Sequence, residues 1–218
     1  MTSSRVRFFE RNLSVLGYTK ALEALDWMKA EMCKEKGFKR HDGSDYYEHL
    51  VAVAQDLLNF GYRDEELMIS ALLHDSVEDV EGITFKMVAD RFGNEVAHIV
   101  RLLTKKKGVN YKKGNHLRLY LMEIAKHPKA ALIKAADRLH NFGTLRHATP
   151  EKKLRQAVET KAAFIPFFKE CRNAYPRYAN YFFQAKTRIE PHLWEIEEHY
   201  EEIQALQQEL AHSRQQTC

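Results

Sequence analysis

A short run of acidic side chains around one histidine is the part of this sequence best suited to chemistry. It holds a histidine–aspartate pair, His74 and Asp75, followed closely by a second acidic pair, Glu78 and Asp79. Apolar residues recur at helical spacing through residues 64–73, which predicts that the run ends an amphipathic helix. On such a helix the four side chains would span roughly 140° and could face one cavity. The first pair could then bind a metal ion and the second could activate water.

A second polar group lies further along the chain. Asp137, Asn141 and Thr144 are spaced i, i+4, i+7 and would form one stripe on a helix. The positions around them are mostly apolar, so the stripe is expected in or beside a cavity. A buried aspartate needs a cation or several donors to keep its charge. A metal ion would meet that need.

One upstream histidine extends this set. His49 lies in an apolar segment that is predicted to be helical, and by itself it would more often be a hydrogen-bonded core residue than a ligand. Together with His74, Asp75 and Asp137 it gives two imidazoles and two carboxylates. That combination suits a divalent ion such as manganese, iron or zinc with positions left open for water.

The elements that must position these residues are predicted to be almost entirely helical. Glycine (9) and proline (5) are scarce, and no sustained alternation of strand type is present. Thr149 before Pro150, and Thr84, are expected to cap helices. The pattern predicts an all-α fold with about ten helices. They are expected at residues 20–36, 46–60, 64–79, 85–92, 95–104, 116–126, 129–147, 151–170, 178–187 and 193–211.

The bulk properties favour one catalytic domain spanning residues 1–218. With 218 residues and 44% hydrophobic content, the chain can bury a sizeable core, expected at about 20–170 with helices from 171–218 appended. No apolar run is long enough to cross a bilayer and the mean hydropathy is −0.52. A net charge of +4 does not imply nucleic-acid binding.

Cysteine usage and the N-terminus favour a reducing compartment. The three cysteines are scattered without the spacing of a zinc or redox motif, and the N-terminus does not resemble a signal peptide. They are Cys33, Cys171 and Cys218. A cytoplasmic location is therefore expected.

Residues 105–114 form a basic loop that contains five lysines. The lysines are Lys105, Lys106, Lys107, Lys112 and Lys113. Two interpretations are open: a solvated run of charge, or a lid whose field attracts a polyphosphate to the site.

The set of His49, the pair His74 and Asp75, and the distant Asp137 resembles the HD superfamily of metal-dependent phosphohydrolases. Longer phrases narrow the resemblance to the hydrolase domain of the RelA/SpoT alarmone enzymes, over roughly residues 38–165. The phrases that carry it are residues 71–79 (ALLHDSVED), 92–93 (FG), 102–105 (LLTK) and 134–141 (KAADRLHN). The resemblance implies an HD-domain helical bundle without the family's synthetase domain, and so a small alarmone hydrolase.

The same resemblance implies an activity and a role for each site residue. The activity is hydrolysis of guanosine 3′,5′-bis(diphosphate) or its pentaphosphate relative, (p)ppGpp, at the 3′ position, giving GDP or GTP and pyrophosphate, usually with Mn²⁺. The four metal ligands would be His49, His74, Asp75 and Asp137. Glu78 and Asp79 would activate water, Arg40 would stack on guanine, and Asn141 with Thr144 would hold the nucleotide.

Two departures from the family pattern remove positive charge. His41 stands where a second basic residue is common, and Phe142-Gly143 replaces an arginine between Asn141 and Thr144. Alternatives therefore remain, including a phosphohydrolase for another nucleotide, such as the 2′-phosphate of NADPH. A non-catalytic alarmone-binding module is a further alternative, although Glu78 and Asp79 argue against it. Pairing as an antitoxin with an alarmone-type synthetase, and a homo-oligomeric state, are also open.

Overall fold

The computed structural model of the chain describes residues 3–40 and 42–216. In those residues the regular structure is helical, and strand-type pairing is limited to one isolated bridge between Lys39 and Asp45. The α-helices are α1 (Ser4–Leu16), α2 (Thr19–Glu31), α3 (Tyr47–Asn59), α4 (Glu65–Leu73), α5 (Ser76–Asp79), α6 (Phe85–Phe92), α7 (Asn94–Leu103), α8 (His116–Ile124), α9 (Pro128–Gly143), α10 (Pro150–Glu159), α11 (Ile165–Ala174) and α12 (Ala179–Gln216). The all-α prediction of about ten helices is therefore confirmed for the described residues.

Helices α3, α4 and α9 form the centre of the bundle, and α3 and α9 carry His49, Asp137 and Asn141 of the predicted site. Every residue of α4 from Leu67 to Leu73 is buried, and α9 is buried almost continuously from Ala130 to Leu139. Helix α3 packs against both of the others. Polar groups that these helices turn toward one another are therefore removed from bulk water.

Side-chain caps set two helix starts as predicted. The Thr149 side chain accepts a hydrogen bond from the Lys152 amide, with Pro150 in the first helical position. The Thr84 side chain accepts one from the Met87 amide at the start of α6.

The predicted single helix over residues 64–79 is wrong, because it breaks between α4 and α5. His74 donates from Nδ1 to the Ala71 carbonyl at 2.8 Å, and the Ser76 hydroxyl donates to the Leu73 carbonyl at 2.7 Å. These side chains take carbonyls that amides of the next turn would otherwise use. The histidine–aspartate pair therefore lies in a turn rather than on one helical face.

Other boundaries also differ from the predictions. The helix expected over 129–147 ends at Gly143 and is followed by a 3₁₀ turn, Leu145–His147. A π-helical turn, Thr160–Phe164, interrupts the helix expected over 151–170. It precedes Pro166, which has no amide hydrogen for the carbonyl four residues back.

At the two ends of the chain the helices were also predicted incorrectly. Residues 179–187 and 193–211 belong to one helix, α12, which continues through Pro191, and Tyr178 lies in the 3₁₀ turn before it. Helix α1 was not predicted, yet it buries Val6, Phe9 and Leu13 and packs on α2 and α3.

Helix α12 is fastened to the centre of the bundle by a polar contact. The fully packed Tyr181 donates from its hydroxyl to Asp56 at 2.7 Å, and Arg188 pairs with the same carboxylate at 3.0 Å. None of the helices in residues 3–40 and 42–216 combines the length and apolar character needed to cross a membrane. Cys33 and Cys171 are free thiols, while Cys218 lies outside the described residues.

Replacing Phe9 by alanine should lower the free energy of unfolding by about 3 to 5 kcal/mol, because a fully buried ring leaves a cavity. The neighbouring Phe8 is 55% exposed, so Phe8→Ala should change it by no more than about 0.5 kcal/mol. Denaturant titration followed by circular dichroism measures both. Equal effects of the two substitutions would show that α1 does not pack as described.

Candidate active site

Four potential metal ligands converge from α3, α9 and the turn between α4 and α5. The Nε2 atom of His49 lies 3.3 Å from Asp137 Oδ1 and 3.8 Å from Asp75 Oδ2. The Nε2 atom of His74 lies 3.1 Å from Asp75 Oδ2 and 3.9 Å from Asp137 Oδ1. One ligand atom from each of His49, His74 and Asp75 falls within 4.8 Å of the others. The structure thus brings all four predicted ligands together.

The hydrogen bonding of the two histidines fits a cation at this point. Both Nε2 atoms are buried and neither makes a hydrogen bond, although carboxylate oxygens are close. Buried polar atoms without a partner are uncommon in folded proteins. Two imidazole lone pairs and two carboxylates aimed at one point form a donor set suited to a divalent metal.

The Nδ1 atom of each histidine has a hydrogen-bonding partner. His74 Nδ1 donates to the Ala71 carbonyl, which leaves its Nε2 as an acceptor or ligand. His49 Nδ1 lies 2.7 Å from Nδ1 of His140. For His49 Nε2 to act as a ligand, its Nδ1 must carry the hydrogen and His140 must accept it. Burial, with repulsion from His49 and Arg40, lowers the pKa of His140 to about 3 and favours that neutral acceptor.

The two carboxylates, Asp75 and Asp137, have their own hydrogen-bond donors. Asp137 accepts hydrogen bonds from Lys134 Nζ at 2.7 Å and Asn141 Nδ2 at 2.6 Å, and Asp75 accepts one from the Tyr46 hydroxyl at 2.8 Å. Burial alone would raise the pKa of Asp137, but Lys134 and the histidines hold it well below its usual range. Asp137 is therefore ionised at neutral pH.

That negative charge also acts on His74. Burial alone would lower the pKa of His74, but the Asp75 and Asp137 carboxylates raise it to about 9. A proton and a metal ion therefore compete for the same nitrogen, and metal binding must release the proton.

The second acidic pair borders the same centre. Glu78 accepts hydrogen bonds from the Lys105 amide at 2.8 Å and from Lys105 Nζ at 3.1 Å. Burial, followed by repulsion from Asp75 and Glu78, raises the pKa of Asp79 to about 6. A carboxyl group with a pKa near neutrality can both hold and release a proton, which suits acid–base work.

A cavity of about 840 Å³ opens beside the cluster. Its lining includes Glu78, Asp79, Arg40, Asn141 and Thr144. Arg40 donates from Nη2 to Asn141 Oδ1 at 3.0 Å and to Thr144 Oγ1 at 2.9 Å. Its guanidinium carbon lies 5.6 Å from the centre of the Tyr46 ring. The volume falls in the range of small-molecule and cofactor sites, roughly 300 to 1,000 Å³.

The basic loop, residues 105–114, fits a solvated run of charge in one part and a wall of the cavity in another. Lys105, Tyr111 and Lys112 line the cavity, whereas Lys106 and Lys107 are exposed and do not line it. Part of the loop therefore forms a cavity wall and part is a solvated charge run.

The sequence profile of the HD domain matches residues 24–170, more than half of the chain. The chain belongs to the HD-domain family. Over 158 residues it is 37% identical to a probable GTP pyrophosphokinase of Mycobacterium leprae, covering 71% of this chain and 19% of that protein. Over 140 residues it is 36% identical to an Aquifex aeolicus protein named guanosine-3′,5′-bis(diphosphate) 3′-pyrophosphohydrolase, covering 62% and 20%. This HD domain thus spans about a fifth of the length of these curated relatives.

A solved structure matches over nearly its whole length. It is described as a metazoan ortholog of SpoT that hydrolyses ppGpp, and it matches with a TM-score of 0.58 and 26% identity, covering 82% of this chain and 93% of that one. A Listeria monocytogenes structure with a TM-score of 0.50 and 18% identity shares the fold. The resemblance of this HD domain to the RelA/SpoT hydrolase domain is confirmed.

Several residues around the site were not predicted. Lys134 carried a signal, since it is a lysine inside the apolar run three residues before Asp137. His140 lies three residues after Asp137 on the same helix, which could have indicated a supporting role. Tyr46 and Lys152 line the cavity without any distinctive pattern in the sequence.

Of the two departures from the family pattern, Phe142-Gly143 lies in the described residues and His41 does not. Phe142 is buried, 5.3 Å from the Arg138 guanidinium, and Gly143 is exposed, so neither places charge in the cavity. His41 lies outside the described residues.

Replacing His140 by alanine should weaken divalent metal binding about 10- to 100-fold, because His49 would lose the acceptor that orients it. His140→Asn places an oxygen acceptor near the same point and should retain most of the affinity. Calorimetric titration with Mn²⁺ measures both, with the exposed His98→Ala as a control. If the alanine variant binds like the wild type, or the asparagine variant binds as weakly as alanine, the inferred tautomer is wrong.

Proposed function

We propose that this HD domain hydrolyses (p)ppGpp at the 3′ position and releases pyrophosphate together with GDP or GTP. The observation that carries the proposal is the pair of buried, unpartnered histidine nitrogens facing two carboxylates, beside a second acidic pair and a nucleotide-sized cavity. The names of the Aquifex relative and of the metazoan structure support the same reaction.

His49, His74, Asp75 and Asp137 would hold the metal, for which we propose Mn²⁺. A bound divalent ion lowers the pKa of water and neutralises charge that develops on phosphoryl oxygens. Lys134 and Asn141 keep Asp137 ionised and fixed in orientation. Tyr46 orients Asp75 through the hydrogen bond from its hydroxyl.

Glu78 and Asp79 handle protons in this proposal. Water attacks the phosphorus atom of the 3′-diphosphate that is bonded to the 3′ oxygen. The bond between that phosphorus and the 3′ oxygen breaks, and pyrophosphate leaves. One carboxylate of the pair takes the proton of the water, and the 3′ oxygen receives a proton as the hydroxyl forms. The raised pKa of Asp79 makes it the better donor, which leaves Glu78 as the base.

Arg40, Asn141 and Thr144 hold the nucleoside. The two hydrogen bonds from Arg40 fix its planar guanidinium at the cavity wall, where it can stack on guanine. Asn141 also touches Asp137, so the nucleoside contacts and the metal centre share one helix.

Four further properties stay predictions from the sequence. They are a cytoplasmic location, a single domain over the whole chain, a homo-oligomeric state and pairing with a toxin synthetase.

Incubation with Mn²⁺ and guanosine 3′,5′-bis(diphosphate) should yield GDP and pyrophosphate, resolved by anion-exchange chromatography. GTP, which has no 3′-diphosphate, should survive, and a chelator should abolish turnover until Mn²⁺ is restored. Release of orthophosphate from NADPH or from simple nucleotides at an equal rate would refute the proposed specificity. Undiminished turnover in metal-free buffer would refute the metal.

Glu78→Gln and Arg40→Ala should affect different kinetic constants. Losing the proposed base should lower kcat by about 10²- to 10⁴-fold while metal content stays normal. Losing the guanidinium should mainly raise KM, because it removes binding rather than chemistry. Steady-state kinetics and metal analysis separate the two. If Glu78→Gln strips the metal, that carboxylate is a ligand and the assigned roles are wrong.

A further inference from the structure

The orientation of Glu78, the proposed base, depends on a residue from another part of the chain. Glu78 lies on α5, which is a helix of only four residues. Its carboxylate accepts two hydrogen bonds, and Lys105 donates both. The Lys105 amide bonds to Oε2 at 2.8 Å, and Lys105 Nζ bonds to Oε1 at 3.1 Å. Because both carboxylate oxygens are bonded to one residue, Lys105 sets the direction in which the carboxylate points.

The backbone that leads to Lys105 is held by α7. The residue before it, Thr104, donates both its amide and its hydroxyl to the Val100 carbonyl, at 3.0 and 2.8 Å. Helix α7 packs against α4 and α9, the helices that flank the metal-ligand cluster. The Lys105 amide is therefore a donor with a fixed place beside that cluster.

The segment that follows Lys105 closes on itself and then borders the cavity. The Lys106 amide donates to the Tyr111 hydroxyl at 3.0 Å, and the Tyr111 ring lies edge-on to the Tyr120 ring, with 5.4 Å between their centres. Residues 108–110, between these points, line the cavity. A nucleotide in the cavity would therefore lie against a loop whose first residue holds Glu78.

The two members of the acidic pair differ in this respect. In the described part of the chain no group donates a hydrogen bond to the Asp79 carboxylate, although Asp79 also lines the cavity. Only Glu78 is fixed by a neighbour. A base that must meet an attacking water in one geometry gains from such fixing, because a displacement of about 1 Å can cost a factor of roughly 10² in rate.

We propose that Lys105 is a positioning residue for this reaction, which holds Glu78 where its carboxylate can take a proton from the attacking water. This inference rests on the proposed function and deepens it, because it names the residue that makes Glu78 effective. Lys105 acts through Glu78 and not by binding the substrate.

Replacing Lys105 by methionine keeps the length of the side chain and removes the ammonium group. With Mn²⁺ and guanosine 3′,5′-bis(diphosphate), Lys105→Met should lower kcat about 10- to 100-fold, because Glu78 keeps only the amide bond. KM and the Mn²⁺ content should stay as in the wild type. Lys105→Arg keeps a cationic donor and should retain most of kcat. Lys106→Met is the matched control, since Lys106 is exposed and does not line the cavity, and it should change neither constant.

A double-mutant cycle tests whether Lys105 acts through Glu78. In a Glu78→Gln background, Lys105→Met should cause no further loss of kcat. If the two substitutions lower kcat independently, or if Lys105→Met mainly raises KM, the positioning role is wrong. A wild type that releases no pyrophosphate would refute the proposed reaction and the positioning role with it. A wild type that does so, with Lys105→Met equally active, would refute the positioning role alone.

Discussion

Two carboxylates held within reach of the same histidines, the buried Asp137 and the partly buried Asp75, impose the main constraint on this fold. Asp75 and Asp137 would repel each other and lose solvation unless donors and cations surrounded them. Helix α9 supplies Lys134 and Asn141 to Asp137, and α3 supplies His49. The packing of α3 and α9 against the turn after α4 therefore brings the charged groups into contact. If that packing loosened, both carboxylates would lose these partners.

The cavity wall is held by a second buried charge. Arg138 donates to Glu159 at 2.9 Å, to the Gln156 carbonyl at 2.9 Å, and to Thr160. These bonds join α9 to α10 at the point where the π-helical turn begins. Since α10 also lines the cavity through Lys152, Arg138 fixes how α9 and α10 meet at the cavity wall.

Helical periodicity was enough to predict an all-α chain, because it reports which positions are buried. The four proposed metal ligands were selected by residue type and by the resemblance to the HD superfamily. Helical periodicity does not report where side chains compete with the backbone for carbonyls. The break after Leu73 depends on His74 and Ser76 doing so, and a continuous pattern hid it. Supporting residues such as His140 were missed for a related reason, since their role depends on contacts across 91 residues of sequence.

The contact between Glu78 and Lys105 has a consequence for how the loop can be observed. The amide hydrogen of Lys105 is bonded to a carboxylate instead of to a helix carbonyl. Exchange of this amide hydrogen with deuterated solvent therefore requires that the hydrogen bond to Glu78 break. The exchange rate at this one backbone position, where the loop begins, reports how often the bond is broken, and it can be measured without any substrate.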